Sequence, residues 1–182
     1  MPSFRIVQET PASASQVEPL LDRTFGTSRQ DRTVYRLREG HPALAELSFA
    51  ALSAEGDLLA SLRFWPILIE AMPAILLGPL AVEPALQGQG IGKALVRHGL
   101  TTAKQQGHRL CVVVGEPSYY GAYGFRNAHE VGLVLPGPVD PLRFQVLELQ
   151  PDALLGVRGR IRRDERLRRS EASEPDIFPL SG

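Results

Sequence analysis

The sequence has little that would staple, anchor or charge it. One cysteine, Cys111, in 182 residues leaves no internal disulfide, and a reducing compartment is the simplest expectation. Neither charge is in excess, because 20 Lys and Arg balance 20 Asp and Glu. A dedicated nucleic-acid binder usually carries a strongly basic domain, so that class is disfavoured. No long apolar run is uninterrupted. The most apolar stretch, Phe64 to Val82, is broken by Pro66, Glu70, Pro73, Gly78 and Pro79. That punctuation suits two buried strands and not a membrane helix. The amino end lacks the basic and apolar regions of a signal peptide, so a cytoplasmic protein without a membrane partner is expected. There is no internal repeat. His41, His98, His108 and His129 show no metal-ligand spacing, so no metal site is expected.

What is present is enough apolar material for one folded domain, at 43% hydrophobic and 22% charged. Alternation predicts a first strand at Phe4–Val7. Helical spacing of Val17, Leu20, Leu21 and Phe25 predicts a helix from Ser15 to Phe25, stopped by Gly26. A second helix is expected over Ser28–Arg38. Strands follow at Ala45–Leu52, Leu58–Leu68 and Ile75–Val82, the last with a bulge at Gly78-Pro79, because proline cannot donate to a ladder. Ile91, Ala94, Leu95, His98, Thr102 and Ala103 trace one face of a helix over Gly90–Gln106. Then come a buried strand, Leu110–Val114, a short helix or turn, Pro117–Tyr123, and strands Glu130–Leu135 and Phe144–Leu149. The layout is α/β, a central sheet flanked by helices. Cys111 is expected to be an inert core thiol, His98 to pack on its helix and the other histidines to lie on the surface.

The strongest chemical signal is Gln87-Gly88-Gln89-Gly90-Ile91-Gly92-Lys93, between a buried strand and an amphipathic helix. The start of a helix carries unpaired N–H groups and partial positive charge. Glycines let the backbone approach an anion closely, so the segment suits a phosphate or pyrophosphate. It is not a Walker A loop: Gln87 stands where the first glycine belongs, and Ala94, lacking a hydroxyl, follows Lys93. Nor is it a Rossmann fingerprint, since Lys93 or Leu95 falls at the third glycine position. The pattern present is Q-x-x-G-x-G. A tight strand-to-helix turn alone would not need three glycines in five residues.

Together with Leu77-Gly78-Pro79-Leu80-Ala81-Val82-Glu83-Pro84, this loop resembles the acetyl-CoA motif of the GNAT superfamily of N-acetyltransferases. The later stretch Gly115-Glu116-Pro117-Ser118-Tyr119-Tyr120, then Gly124-Phe125, is similar to the bacterial YhbS-like branch, with Glu116 where that branch has Asp. The likeness covers roughly Phe4 to Leu155. It implies a largely antiparallel mixed sheet with a splayed parallel strand pair at the coenzyme. It implies that Gln87, Gly88, Gln89, Gly90, Ile91, Gly92 and Lys93 hold the pyrophosphate, and that the backbone of Leu80, Ala81 and Val82 meets the pantetheine arm. An N–H near Leu80 or Ala81 would polarise the acetyl carbonyl, worth roughly 3 kcal/mol. It implies Tyr120 as the acid that protonates the departing thiolate, with Tyr119 as packing or substrate wall and Tyr123 as core. Glu83 and Glu116 are base candidates, each with a structural alternative: a turn for Glu83, a helix cap for Glu116. Glu70 is a weaker third.

The expected function is acetyl transfer from acetyl-CoA to a primary amine of unidentified kind, in a ternary complex. The alternative is a non-catalytic acyl-CoA-binding sensor on the same fold. The domain is expected over 3–150, followed by an arginine-rich extension over 151–182. That extension carries Arg158, Arg160, Arg162, Arg163, Arg166, Arg168 and Arg169 among acids. It reads as a solvated, partly helical arm ending in a mobile segment over 173–182, with docking on a partner subunit of a homodimer as one reading.

Overall fold

In a computed structural model of the chain, residues 2–167 are described. Arg168, Arg169 and the segment 173–182 read above as mobile lie outside them. The elements are β1 (Arg5–Gln8), α1 (Pro11–Phe25), α2 (Thr33–Arg38), β2 (Ser48–Leu52), β3 (Leu58–Ile69), β4 (Met72–Val82), α3 (Ile91–Gln105), β5 (Leu110–Val114), α4 (Pro117–Tyr120), β6 (Arg126–Asn127), β7 (Leu133–Val134), β8 (Phe144–Glu148) and β9 (Gly159–Arg163).

The sheet runs β1-β2-β3-β4-β5-β8-β6, antiparallel except for the β4–β5 pair. The apolar runs of β4 and β5 follow from burial on both faces. Ile75 and Leu77 pack with Cys111 and Val113 under α3, while Leu76 packs with Leu110 and Val112 on the other face beside Phe144 and Val146. The amphipathic α3 lays Ile91, Leu95, Val96, Leu100 and Ala103 onto the first of these layers. Val17, Leu20 and Leu21 of α1 form a third cluster with Ala50, Leu58 and Ala81.

The expected bulge is present. Leu62 faces Leu80 and Phe64 faces Leu77, so Gly78 and Pro79 together oppose Arg63 alone. The Gly78–Pro79 peptide is cis. The Gly78 carbonyl accepts a 2.7 Å hydrogen bond from the Trp65 indole.

Several elements differ from the sequence reading. The first helix starts four residues early, at Pro11, because Thr10 and Ser13 form a reciprocal capping box. The second is interrupted: a 3₁₀ turn, Thr27–Asp31, gives way to extended Arg32 before α2 begins. Ala45–Leu47 is a 3₁₀ turn ahead of β2, and the Glu130–Leu135 strand shrinks to Leu133–Val134 behind another. Part of the arginine-rich segment, read as a solvated and partly helical arm, is strand β9. It pairs with the second half of β3, Ile67 facing Arg163 and Ile69 facing Ile161, along the edge whose first half pairs with β2. Ile161 is 1% exposed while Arg160 and Arg162 are exposed.

Candidate active site

The site follows from where β4 and β5 stop pairing. Ile75 faces Cys111 and Leu76 faces Val112, and the ladder ends there. Beyond it, Leu77–Val82 pair with β3 on one side only, leaving the other edge of β4 open toward a gap. Pro79, in the bulge, has no N–H to offer a neighbouring strand, which favours this separation.

At one end of the gap stands α3. Its N-cap, Gly90, is left-handed (φ 89°), and no side chain caps the helix. The first intrahelical bond runs from Ala94 N–H to the Gly90 carbonyl. The N–H groups ahead of it therefore face the hollow lined by Gly88, Gly90, Gly92, Lys93, Thr24, Phe25, Leu80, Val82 and Tyr119. A side chain on Gly92 would crowd the Tyr119 hydroxyl at 3.1 Å and Val82 at 3.2 Å, so glycine leaves this passage clear.

This hollow shares Phe25, Leu80, Gln87, Lys93 and Tyr119 with a larger cleft of about 800 Å³. That cleft runs along Leu77–Leu80 and Val113–Glu116 to Tyr120. Its ionisable walls are mostly cationic: Arg29, Arg32, Arg38, Lys93, Arg97 and Arg143, against Glu116. Such a surface attracts a multiply charged anion.

Tyr120 is 8% exposed and packs against Phe125 and Tyr119. Burial pushes its hydroxyl well above the ordinary phenol range, against the pull of Arg143 and Arg38. Tyr119 is raised too, by burial first and then by the neighbouring Tyr123. Both are neutral phenols at working pH. Tyr123, read as core, is half-buried and lines the cleft.

The carboxylates are not gathered together. Glu116 lines the cleft and lies 3.6 Å from Arg143; it starts α4 without capping it. Glu83 makes a two-point ion pair with Arg23, at 3.2 and 3.0 Å, and is not part of the cleft walls. Glu70 sits in the β3–β4 turn, accepting the Arg160 N–H at 2.8 Å. Among the predicted coenzyme contacts, Ile91 lines the hollow although its side chain is fully buried in the core, Gln87 lines both the hollow and the cleft and donates to the Val82 carbonyl at 3.3 Å, and Ala81, fully buried, and Gln89, exposed, line neither.

The profile of the acetyltransferase (GNAT) family matches residues 14–125. The chain belongs to the GNAT acetyltransferase family. Within it, the chain is 31% identical over 163 residues to the Escherichia coli K12 protein named uncharacterized N-acetyltransferase YhbS, spanning 88% of this chain and 96% of that one. The E. coli protein named uncharacterized N-acetyltransferase YjhQ is 30% identical, spanning 85% and 89%. The crystal structure of E. coli YhbS in complex with CoA superposes with a TM-score of 0.78, at 30% identity over 93% of this chain and 94% of that one. A GNAT acetyltransferase from Brucella melitensis in complex with acetyl-CoA gives 0.66 at 28% identity, over 89% and 96%. The mixed sheet with one splayed parallel pair is the GNAT fold.

Several residues that line the cleft of this family member escaped the sequence reading, Tyr35 and Arg38 among them. Tyr35 and Arg38 lie on α2 and reach the wall beside Gly78. In the sequence they sit in a segment of alternating arginines whose burial nothing local announces. His41 is a correction: read as a surface group, it is 7% exposed, its ring nitrogens 3.0 Å from the carbonyls of Glu39 and Asp164. Among the described residues no helix is long and apolar enough to cross a membrane.

Proposed function

We propose that this GNAT-family chain transfers an acetyl group from acetyl-CoA to a primary amine by direct attack in a ternary complex, without a covalent enzyme intermediate. The carrying observation is the gap that opens after Leu76 and Val112, with the uncapped start of α3 at one end and the buried Tyr120 phenol at the other. The backbone of Gln87–Gly92 and the charge of Lys93 would hold the pyrophosphate, as the open N–H groups favour. The free edge of β4 at Leu80–Val82 would pair with the amide groups of the pantetheine arm, leaving the thioester beside Tyr120.

There the neutral amine attacks the acetyl carbonyl carbon, the carbon–sulfur bond breaks, and the thiolate takes a proton from the Tyr120 hydroxyl. A β4 backbone N–H stabilises the negative oxygen. The proton lost by the amine passes to water and, through water, restores the Tyr120 hydroxyl, so the phenol is unchanged by the turnover; of the carboxylate candidates, Glu116 is the one on the cleft wall.

The test is Gly90→Glu, which places a side chain and a negative charge where the pyrophosphate would sit. Calorimetry should show acetyl-CoA affinity reduced at least about 100-fold, since a lost set of charged hydrogen bonds is worth several kcal/mol. Undiminished affinity would refute the placement.

A further inference from the structure

We propose that Arg38 docks a carboxylate carried by the amine acceptor, which makes the substrate class short amino carboxylates such as free amino acids. The inference rests on the acetyl-transfer reading above and names its acceptor.

Arg38 is an exception among the guanidinium groups that are buried or largely covered. Arg29 is ion-paired with Glu18 and Asp22, and Arg63 with Glu9 through two bonds of 2.6 and 2.9 Å. Arg38 is only 8% exposed, yet no carboxylate among the described residues lies within ion-pair distance of it, and its Nε has no hydrogen-bond partner. Its neighbours are aromatic rings: Tyr35 at 4.9 Å and Trp65 at 5.8 Å from the guanidinium carbon. Rings favour a cation but do not neutralise it. A buried charge is normally paired, because leaving it alone is costly. Burial lowers the Arg38 pKa to about 10, which still leaves it charged at neutral pH.

Its position says which anion is missing. Nη2 lies 3.0 Å from where a Cβ on Gly78 would be, so the bare backbone of Gly78 lets the guanidinium touch the β4 bulge. That is one residue past Leu77, where β4 has parted from β5, and Arg38 lines the same cleft as Tyr120. Arg38 therefore stands at the reacting end of the gap. It does not line the glycine hollow, where Lys93 serves the phosphates. With Tyr35 and Pro79 it forms the partition between the main cleft and a second cavity of about 470 Å³, which Glu18, Leu21 and Trp65 also line and no glycine-loop residue touches. An acceptor in that cavity reaches the thioester without crossing the coenzyme. A planar guanidinium fork matches a carboxylate, and the short span from Arg38 to the reaction point suits an amine only a few bonds from it.

The test compares matched acceptors with acetyl-CoA: glycine, β-alanine and phenylalanine, each beside its carboxamide, reading release of free CoA thiol. The carboxamides have the less basic amines, so intrinsic reactivity runs against the expected order. The wild type should favour each carboxylate by about 10- to 100-fold in kcat/KM, the range for a hydrogen bond between charged groups. Arg38→Gln should bring the ratio to within about threefold of one, and Arg38→Lys, which keeps the charge but loses the fork, should fall between. A ratio near one in the wild type, or one that survives in Arg38→Gln, overturns the proposal while leaving acetyl transfer intact. Wild type that binds no acetyl-CoA overturns the acetyl-transfer reading instead. If acetyl-CoA binds and no panel member turns over, calorimetry on the CoA-saturated protein decides: N-acetylglycine should bind and N-acetylglycinamide should not. Equal binding, or none by the acid, overturns the proposal. Should Arg38→Gln fail to fold, the wild-type preference and its loss of at least threefold in Arg38→Lys support the proposal, and a preference that Arg38→Lys retains in full overturns it.

Discussion

The ring of Tyr120 fills the space that a side chain on Gly115 would need: a Cβ there would lie 2.3 Å from Cε2 and 2.8 Å from Cδ2. Gly115 is held on both sides: its N–H donates to the carbonyl of Arg143, just ahead of β8, at 2.9 Å, and its carbonyl accepts from the side-chain amide of Gln145 in β8 at 3.2 Å. Gly115→Ala must therefore push the phenol out of place. Overpacking of this kind costs about 1–3 kcal/mol. A lower urea midpoint together with a depressed kcat is expected; an unchanged kcat would show that the position of the phenol is immaterial.

Tyr120→Phe separates chemistry from packing. The ring stays and the hydroxyl goes, so stability should hold while kcat falls by about 10²- to 10⁴-fold, the usual worth of a positioned proton donor. The pH profile adds a sign. Burial raises the Tyr120 hydroxyl above the ordinary value near 10, so the donor stays protonated through the alkaline working range. Wild-type kcat should show no falling limb from this group up to about pH 10. A limb near pH 8 that vanishes in Tyr120→Phe would contradict the assignment.

Cys111 has a comparable effect on the fold itself. It is 0% exposed in β5, and burial pushes its thiol far above the unfolded value near 8.5. Its folded value is raised, so its contribution to stability is fully present below about pH 8.5 and is lost as pH rises toward that folded value. The urea midpoint should decline above pH 8.5, and Cys111→Ala should flatten that slope while lowering the plateau. Native protein should resist an aromatic disulfide reagent that labels it at once in urea.

Arg63 and Glu9 tie β3 to the chain just beyond β1, with side chains 17% and 10% exposed. The hydrogen bonds to Glu9 hold the Arg63 pKa above its usual value. Losing one partner leaves the other partly buried and unpaired, at about 1–3 kcal/mol. Glu9→Leu and Arg63→Met should each destabilise by that order, and the double variant by less than their sum. Additivity in the urea-melt cycle would show that the pair is not coupled.

How much of this could be read beforehand depended on distance along the chain. The bulge at Gly78-Pro79 was legible because proline carries its own constraint, and the glycine loop because strand, glycines and helix adjoin within about 20 residues. The start of α1 was missed although its signal was local: Thr10-Pro11 is a cap and first-turn proline, but Ser13 closes the capping box where Glu or Gln is the pattern looked for. Strand β9 was illegible for another reason. Gly159–Arg163 has a single apolar residue, Ile161, and becomes a strand because distant segments offer it partners: the second half of β3, 92 residues earlier in the chain at Ile69, and β7, which it meets in parallel at Leu133 and Val134.

By itself, then, the amino-acid sequence determined the local machinery: which segments turn, which face of α3 is apolar, and where a glycine-rich helix start follows a buried strand. Those depend on backbone geometry and periodicity over a few residues. Only the tertiary structure decided which polar groups lose their water and with whom they are left. Glu83 found Arg23, Arg63 found Glu9, His41 found two carbonyls, and Arg38 was sealed beside Gly78 with no acid at hand. Solvation is set by everything that packs around a group, so identical guanidinium groups a few residues apart end as surface charges or as a buried cation without a counterion.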